Sequence, residues 1–366
     1  MHTKSLIALA CSGAFAFASP SISADDSVNI SGFLTTGVSI SDNEIPYLSN
    51  RGIIDEPNFH SESVLGIQLD STIDDKTRVS TQLIANFSSD NFDTNAEWLF
   101  VERNISTRFR VRAGRLRLPV YAASRYVYVG AAYPWVRPPE EVYAQMAGIT
   151  RFNGLDANWQ TELGPGTFSI QPYAGSITGE EIAAGPITIK LNTESLFGVA
   201  TKYAWEGIAV QAMFIKIDAN LDNFPTETGL RQVSINAEIA TLALEVEQGN
   251  FDLRTEWASR DSDRLGNSWG WYGTVAYHHN EFTPYLTLGL RDSEGDTSIA
   301  RDSESAALGL RWDLGPKIAL KSELHYGKAK SSSKGLFNEY IEDPDQPGQL
   351  ADDDVLLASF TVNVLF

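Results

Sequence analysis

The chain has 366 residues, 43% hydrophobic and 20% charged, with a net charge of −19. No stretch reaches the roughly 18 apolar residues of a spanning helix, which excludes a helical membrane protein. The acidity excludes a nucleic-acid partner, whose phosphates need basic surfaces.

The first element is a targeting segment. Lys4 gives positive charge, Leu6 to Ala18 form an apolar core, and SPSISA leads into Asp25 and Asp26. Residues 1–24 are expected to be a cleaved signal peptide, and 25–366 a single domain. The only cysteine, Cys11, falls inside the signal, so the remaining chain has no thiol chemistry.

From residue 28 onward the text alternates apolar and polar residues with period two, the mark of half-buried strands. Sixteen runs qualify: 28–40, 62–73, 77–88, 96–106, 108–117, 152–162, 166–176, 195–205, 208–218, 238–248, 251–260, 269–279, 282–291, 303–313, 316–327 and 354–366. In the last run Leu356, Ala358, Phe360, Val362, Val364 and Phe366 share one face, opposite Ser359, Thr361 and Asn363. At about 3.3 Å per residue and a 45° tilt, such runs rise roughly 25 Å, the height of a lipid-facing band.

Connections alternate in length. Tight turns such as 73–76, Glu206-Gly207, Gly249-Asn250 and Asn280-Glu281 follow even-numbered runs, while long segments, 41–61, 89–95, 118–151, 177–194, 219–237, 261–268, 292–302 and 328–353, follow odd ones. A soluble sandwich has no reason to sort its loops in this way, whereas a transmembrane barrel keeps short turns on one side and long loops on the other. Phe109, Phe168, Trp205, Phe251, Tyr277, Phe282 and Trp312 lie beside the short turns on the apolar parity. They predict an aromatic girdle at one lipid–water boundary, completed by Phe366. The fold class expected is all-β, a sixteen-stranded antiparallel transmembrane β-barrel.

The 118–151 segment is too long to be an idle connection. Four prolines, at 119, 134, 138 and 139, prevent a strand, and its many aromatics require packing. Just before it, FRVRAGRLR turns Arg110 and Arg112 to the lumen, while strict alternation would push Arg115 and Arg117 into lipid. A bulge at Gly114 would swing both inward; the alternative leaves them at the boundary among headgroups. Other inward positions mix signs: Lys202, Arg254, Arg260, Arg291, Arg311 and Lys321 against Asp156, Glu245, Glu256 and Glu323. The acidic stretch between Ile341 and Asp354 is either a solvated loop or a holder of divalent cations that bridge lipopolysaccharide.

A final strand ending in Phe366, with sorted loops and a long segment after the fifth strand, resembles the Gram-negative outer-membrane porins. The resemblance implies a closed barrel in the outer membrane, in contact with lipid and lipopolysaccharide. It also implies a third extracellular loop folded into the pore. Strands one to three turn Ile30, Gly32, Leu34, Leu65, Ile67, Leu69, Val79 and Leu83 outward with no aromatic near their short-turn ends, a gap in the girdle that suggests a subunit contact in a homotrimer. With the loop inside, Glu140 and Glu141 would oppose Arg110, Arg112, Arg115 and Arg117 across the narrowest part; alternatively they cap a short helix. Arg125, Tyr133, Trp135 and Arg137 of the loop complete the expected constriction. The function implied is passive diffusion of small hydrophilic solutes and ions, or, alternatively, selective passage of a sugar, oligosaccharide or oxyanion. No catalytic, cofactor or metal motif appears in the sequence. The chain is therefore read as no enzyme, with no cofactor.

Overall fold

A computed structural model describes residues 28–366 except 49–50, 89–90, 147–148, 185–186, 227–228, 295–300, 331–332 and 344–349. The expected signal peptide, with Cys11, lies outside the described residues, as does the middle of the acidic 341–354 stretch.

Alternation in the sequence becomes alternation of exposure along the strands. On the strand 282–293, Leu286, Leu288 and Leu290 are exposed, while Tyr285, Thr287 and Arg291 are buried. An apolar face turned outward needs a nonaqueous surrounding, and lipid supplies it.

Seventeen strands form one antiparallel sheet: β1 Val28–Ser41, β2 Val64–Asp74, β3 Thr77–Ser88, β4 Asn91–Ser106, β5 Phe109–Arg117, β6 Arg151–Leu163, β7 Gly166–Ser176, β8 Glu180–Ala184, β9 Ile187–Trp205, β10 Ile208–Thr226, β11 Gly229–Gln248, β12 Phe251–Ser262, β13 Ser268–Tyr277, β14 Phe282–Ser293, β15 Ser303–Gly315, β16 Ile318–Ala329 and β17 Asp354–Leu365. β1 pairs with β2 on one edge and β17 on the other, which closes the sheet. β8 pairs only with the start of β9, whose later part returns to β7. β8 is thus an addition at the rim, and sixteen strands make the closed wall.

The seam is sealed by the last residue. Phe366 and Gly32 exchange backbone hydrogen bonds of 2.9 and 3.0 Å. A side chain on Gly32 would project to within 2.4 Å of the Phe366 ring, so the ring covers the seam only because residue 32 is glycine. The girdle also forms, with Phe251–Tyr277 at 5.0 Å and Phe282–Trp312 at 5.6 Å between ring centroids.

Two expectations are corrected. The stretches 177–194 and 219–237 are not open loops, because β9, β10 and β11 continue through them for 19, 19 and 20 residues. Their length, about 60 Å at ~3.3 Å per residue, carries the sheet well past the bilayer. There the polarity inverts. Ile215, Ile217, Ala219, Leu221, Ile235 and Ile239 pack inward, and Lys216 and Glu238 pair at 2.7 Å on the outer face. Away from lipid the outer face must meet water, so the apolar residues move inside.

The second correction concerns the bulge. β5 pairs without a register shift from Ala113 to Arg117 on its β6 side, and no bulge occurs at Gly114, although its φ is +132°. The extra residue lies in the neighbouring strand: Gln82 faces Trp98 and Leu83 faces Ala96, which leaves Glu97 unpaired.

Candidate channel constriction

The described part of the segment from Leu118 to Thr150 is irregular with four short helical turns, Ser124–Tyr126, Gly130–Ala132, Ala144–Met146 and α1 at Glu140–Tyr143, which starts after Pro139. Proline fits there because the first turn of a helix has no partner for its N–H. The segment's polar contacts reach side chains on the inward parity of many strands.

On β13 the Trp135 Nε1 donates to Thr274 Oγ1 at 2.8 Å, and the Trp135 ring meets Tyr272 edge-on at 5.5 Å. On β16 the Lys321 Nζ donates to the carbonyl oxygens of Gly130 and Trp135 at 2.5 Å each, and lies 4.5 Å from the Tyr133 ring centroid. Arg311 on β15 donates to the carbonyls of Ala131 and Tyr133 at 2.7 and 3.2 Å. Glu256 on β12 accepts from the Ala122 N–H at 3.0 Å and the Tyr143 hydroxyl at 3.1 Å. On the far side Arg125 donates to Gln171 of β7 at 2.9 Å.

Arg137 is the hub. Its guanidinium lies 2.8 Å from Glu62 and 3.3 Å from Glu323, and it donates to Ser39 and Ser359. Glu62 in the first loop also pairs with Arg51 at 2.8 Å. One buried cation thereby joins the first loop, the third loop and strands β1, β16 and β17. The first loop is held from above as well, where Tyr47, Leu48 and Ile53 pack on Leu336, Phe337 and Leu350. His325 hydrogen-bonds the Tyr47 hydroxyl at 3.3 Å.

The expected constriction residues are placed as follows. Arg112 makes a bidentate pair with Asp156, at 2.5 and 2.9 Å. Arg110 lies 4.0 Å from Glu102. Arg117 turns inward and meets Glu97 at 3.1 Å, under the Tyr128 ring at 4.8 Å. Glu97 is the bulged residue of β4, so the bulge supplies the carboxylate rather than redirecting the arginine strand. Arg115 stays on the outward parity opposite exposed Leu99 and Asn153, and hydrogen-bonds Asn153 and the Ala96 carbonyl. Arg115 therefore does not swing inward.

Glu140 and Glu141 do not face these arginines. Glu140 pairs with Arg51 at 3.6 Å, and Glu141 is buried against β13–β15, where it accepts from Ser305 at 2.5 Å. Burial pushes the Glu141 carboxyl above its ordinary range, partly opposed by that hydrogen bond. The segment approaches this wall closely because two inward residues are glycines. A side chain on Gly270 would stand 2.0 Å from the Glu141 carbonyl oxygen, and one on Gly289 would stand 2.6 Å from its carboxyl carbon. Sequence reasoning missed Glu62, Glu97 and these glycines; the inward glycines of SWGWYG and LTLGLR were the readable signal.

The side chains of β2–β5 pair with one another instead. Arg78 lies 3.2 Å from Glu102 and 3.9 Å from Asp70. The Arg78 and Arg110 side chains stay 45% and 35% exposed, against 5% for Arg137.

A closed antiparallel barrel with an apolar exterior and a polar, charged interior is a transmembrane channel of the outer-membrane kind. The model of the Gram-negative porin family matches residues 6–332, and the chain belongs to that family. It resembles the anion-selective porin from Comamonas acidovorans at 16% identity and TM-score 0.63, covering 93% of this chain and 99% of that one. OmpT of Vibrio cholerae matches at 12% and 0.60, covering 94% and 99%, and Salmonella typhi OmpF, in a complex with daunomycin, at 10% and 0.60, covering 92% and 97%. No curated protein matches the sequence. The protein is an outer-membrane channel for passive diffusion.

Proposed function

We propose that the 118–150 segment lies across the lumen and that water, ions and small hydrophilic solutes pass between it and the wall of β2–β5, with no catalytic step. The carrying observation is the contrast in exposure: the Arg78 and Arg110 side chains on β3 and β5 remain solvated, whereas Arg137 is buried and paired where the segment docks. Arg78, Arg110, Asp70 and Glu102 put both signs of charge along one path, which suits small polar solutes of either charge. In a Cys11→Ser background, Arg78→Cys modified by a charged methanethiosulfonate should lower single-channel conductance. Complete labelling, verified by mass, with unaltered conductance would rule out this path.

We also read the exposed apolar faces of β1–β3, with Ile30, Leu34, Leu65, Ile67 and Leu83, as a subunit contact in a homotrimer. Support comes from the missing girdle aromatics on β2 and β3 and from a Vibrio cholerae OmpT structure described as a trimer form. The remaining rim would carry lipopolysaccharide. Native mass spectrometry of protein extracted from outer membranes should give three chains with bound lipopolysaccharide. A bare monomer overturns both statements.

A further inference from the structure

We propose that the inner wall at β12–β15 holds a subsite for a small oxyanion, centred on the Arg291 guanidinium. The inference rests on the channel reading above, since Arg291 lies on the inward parity of β14.

Arg291 points inward on β14, between Gly270 of β13 and Ser303 of β15. It is buried, and among the described residues its Nε and Nη1 have no hydrogen-bond acceptor. Among the described residues it makes no ion pair within 4.0 Å. Elsewhere in this lumen the protein supplies counterions: Arg112, Arg117 and Arg137 each meet a carboxylate at 2.5 to 3.1 Å. Arg291 departs from that pattern.

Its neighbours leave further donors without acceptors. Arg260 of β12 also has an Nε with no acceptor, and its other nitrogens reach only the Gln145 and Leu265 carbonyls, at 3.4 and 3.3 Å. The charges of Arg260 and Arg301 both act on Arg291. The Ser303 hydroxyl is buried with no partner. The nearby carboxylates are Glu141, whose Oε1 accepts from Ser305, and Asp302, whose Oδ1 accepts from the Ser293 N–H; both charges act with that of Arg291, but neither reaches ion-pair distance, and the Gln145 side-chain oxygen accepts from Ser268 at 2.6 Å.

Buried guanidinium nitrogens left without acceptors, Arg291 Nε and Nη1 and Arg260 Nε, are unfavourable away from bulk water unless an anion completes them. The planar fork of a guanidinium matches two oxygens of one group, so phosphate, sulfate or a carboxylate fits better than a monatomic ion. Lys216, on the outer face, serves as the neutral comparison.

The test is calorimetric titration of the detergent-folded full chain with sodium phosphate at constant ionic strength, alongside chloride currents in planar bilayers. Saturable phosphate binding that lowers the chloride current is expected. Arg291→Met and, independently, Arg260→Gln should weaken it about tenfold or more, as loss of a charge-assisted hydrogen bond predicts. Arg291→Lys should restore part of it, and Lys216→Gln should leave it unchanged. Heat-modifiable migration on gels identifies folded variants. No saturable heat, or equal affinity in folded Arg291→Met and Arg260→Gln, overturns the subsite while a conducting preparation leaves the channel intact. A folded preparation that fails to conduct refutes the channel reading instead, and the calorimetry still decides the subsite.

Discussion

Arg137→Ala should undock the third loop and raise single-channel conductance. The substitution removes the cation shared by Glu62 and Glu323, both buried, and strips donors from Ser39 and Ser359. Breaking a buried pair by removing one partner costs about 3–5 kcal/mol, because the other charge stays buried without compensation. Here the cheapest relief is to move the loop away from the two carboxylates, so the loss falls on docking more than on the barrel. Liposome swelling with sugars of increasing size should show a higher size limit, and heat-modifiable migration should persist. Arg137→Lys should fall between, since a single ammonium cannot serve both carboxylates and both hydroxyls with the same geometry. Wild-type conductance and size limit in Arg137→Ala would remove the hub from the argument.

Gly270→Leu should displace α1 from the wall. The first side-chain carbon alone would stand 2.0 Å from the Glu141 carbonyl oxygen and 3.1 Å from the Gln145 amide nitrogen. Backbone cannot give way at such a distance, so the helical turn must shift, with an overpacking cost of about 1–3 kcal/mol or more. Trp135 fluorescence, set by its buried contact with Tyr272 and Thr274, should report the shift, and conductance should change with it. Gly273→Ala on the same strand meets only the Trp271 ring, at 2.9 Å, and serves as the outward-facing comparison. Identical spectra and currents in Gly270→Leu would mean that the close approach does not hold the loop.

The barrel was legible because a lipid-facing strand writes its environment into every second residue. β14 and β17 could be bounded almost to the residue, and sorted connection lengths fixed which end was which. The long hairpins were missed for an instructive reason. In MFIKIDANL the alternation never stops; Met213, Ile215, Ile217, Ala219 and Leu221 simply move to the inner face once the outer partners become Lys216, Asp218 and Asn220. A rule that seeks apolar residues outside ends the strand where only the solvent changes. The bulge was misplaced because a glycine between arginines marks itself, whereas Glu97 shows its role only through Arg117 and Arg151, which arrive from other strands. The 118–151 segment stood out in the sequence, but its contacts did not. Glu140 and Glu141 stood out as adjacent charges, but their partners, Arg51 and Ser305, are set by tertiary approach.

Arg137 lies 222 residues before Ser359 and 186 before Glu323 in the chain. Contacts separated so far along the polypeptide form late, since each requires a large loop to close first. Arg137 therefore has no seat until the carboxyl-terminal hairpin has joined β1. An assembling intermediate that lacks this hairpin would leave the 118–150 segment without Glu323 and Ser359, and its docking would coincide with the final zippering of the wall.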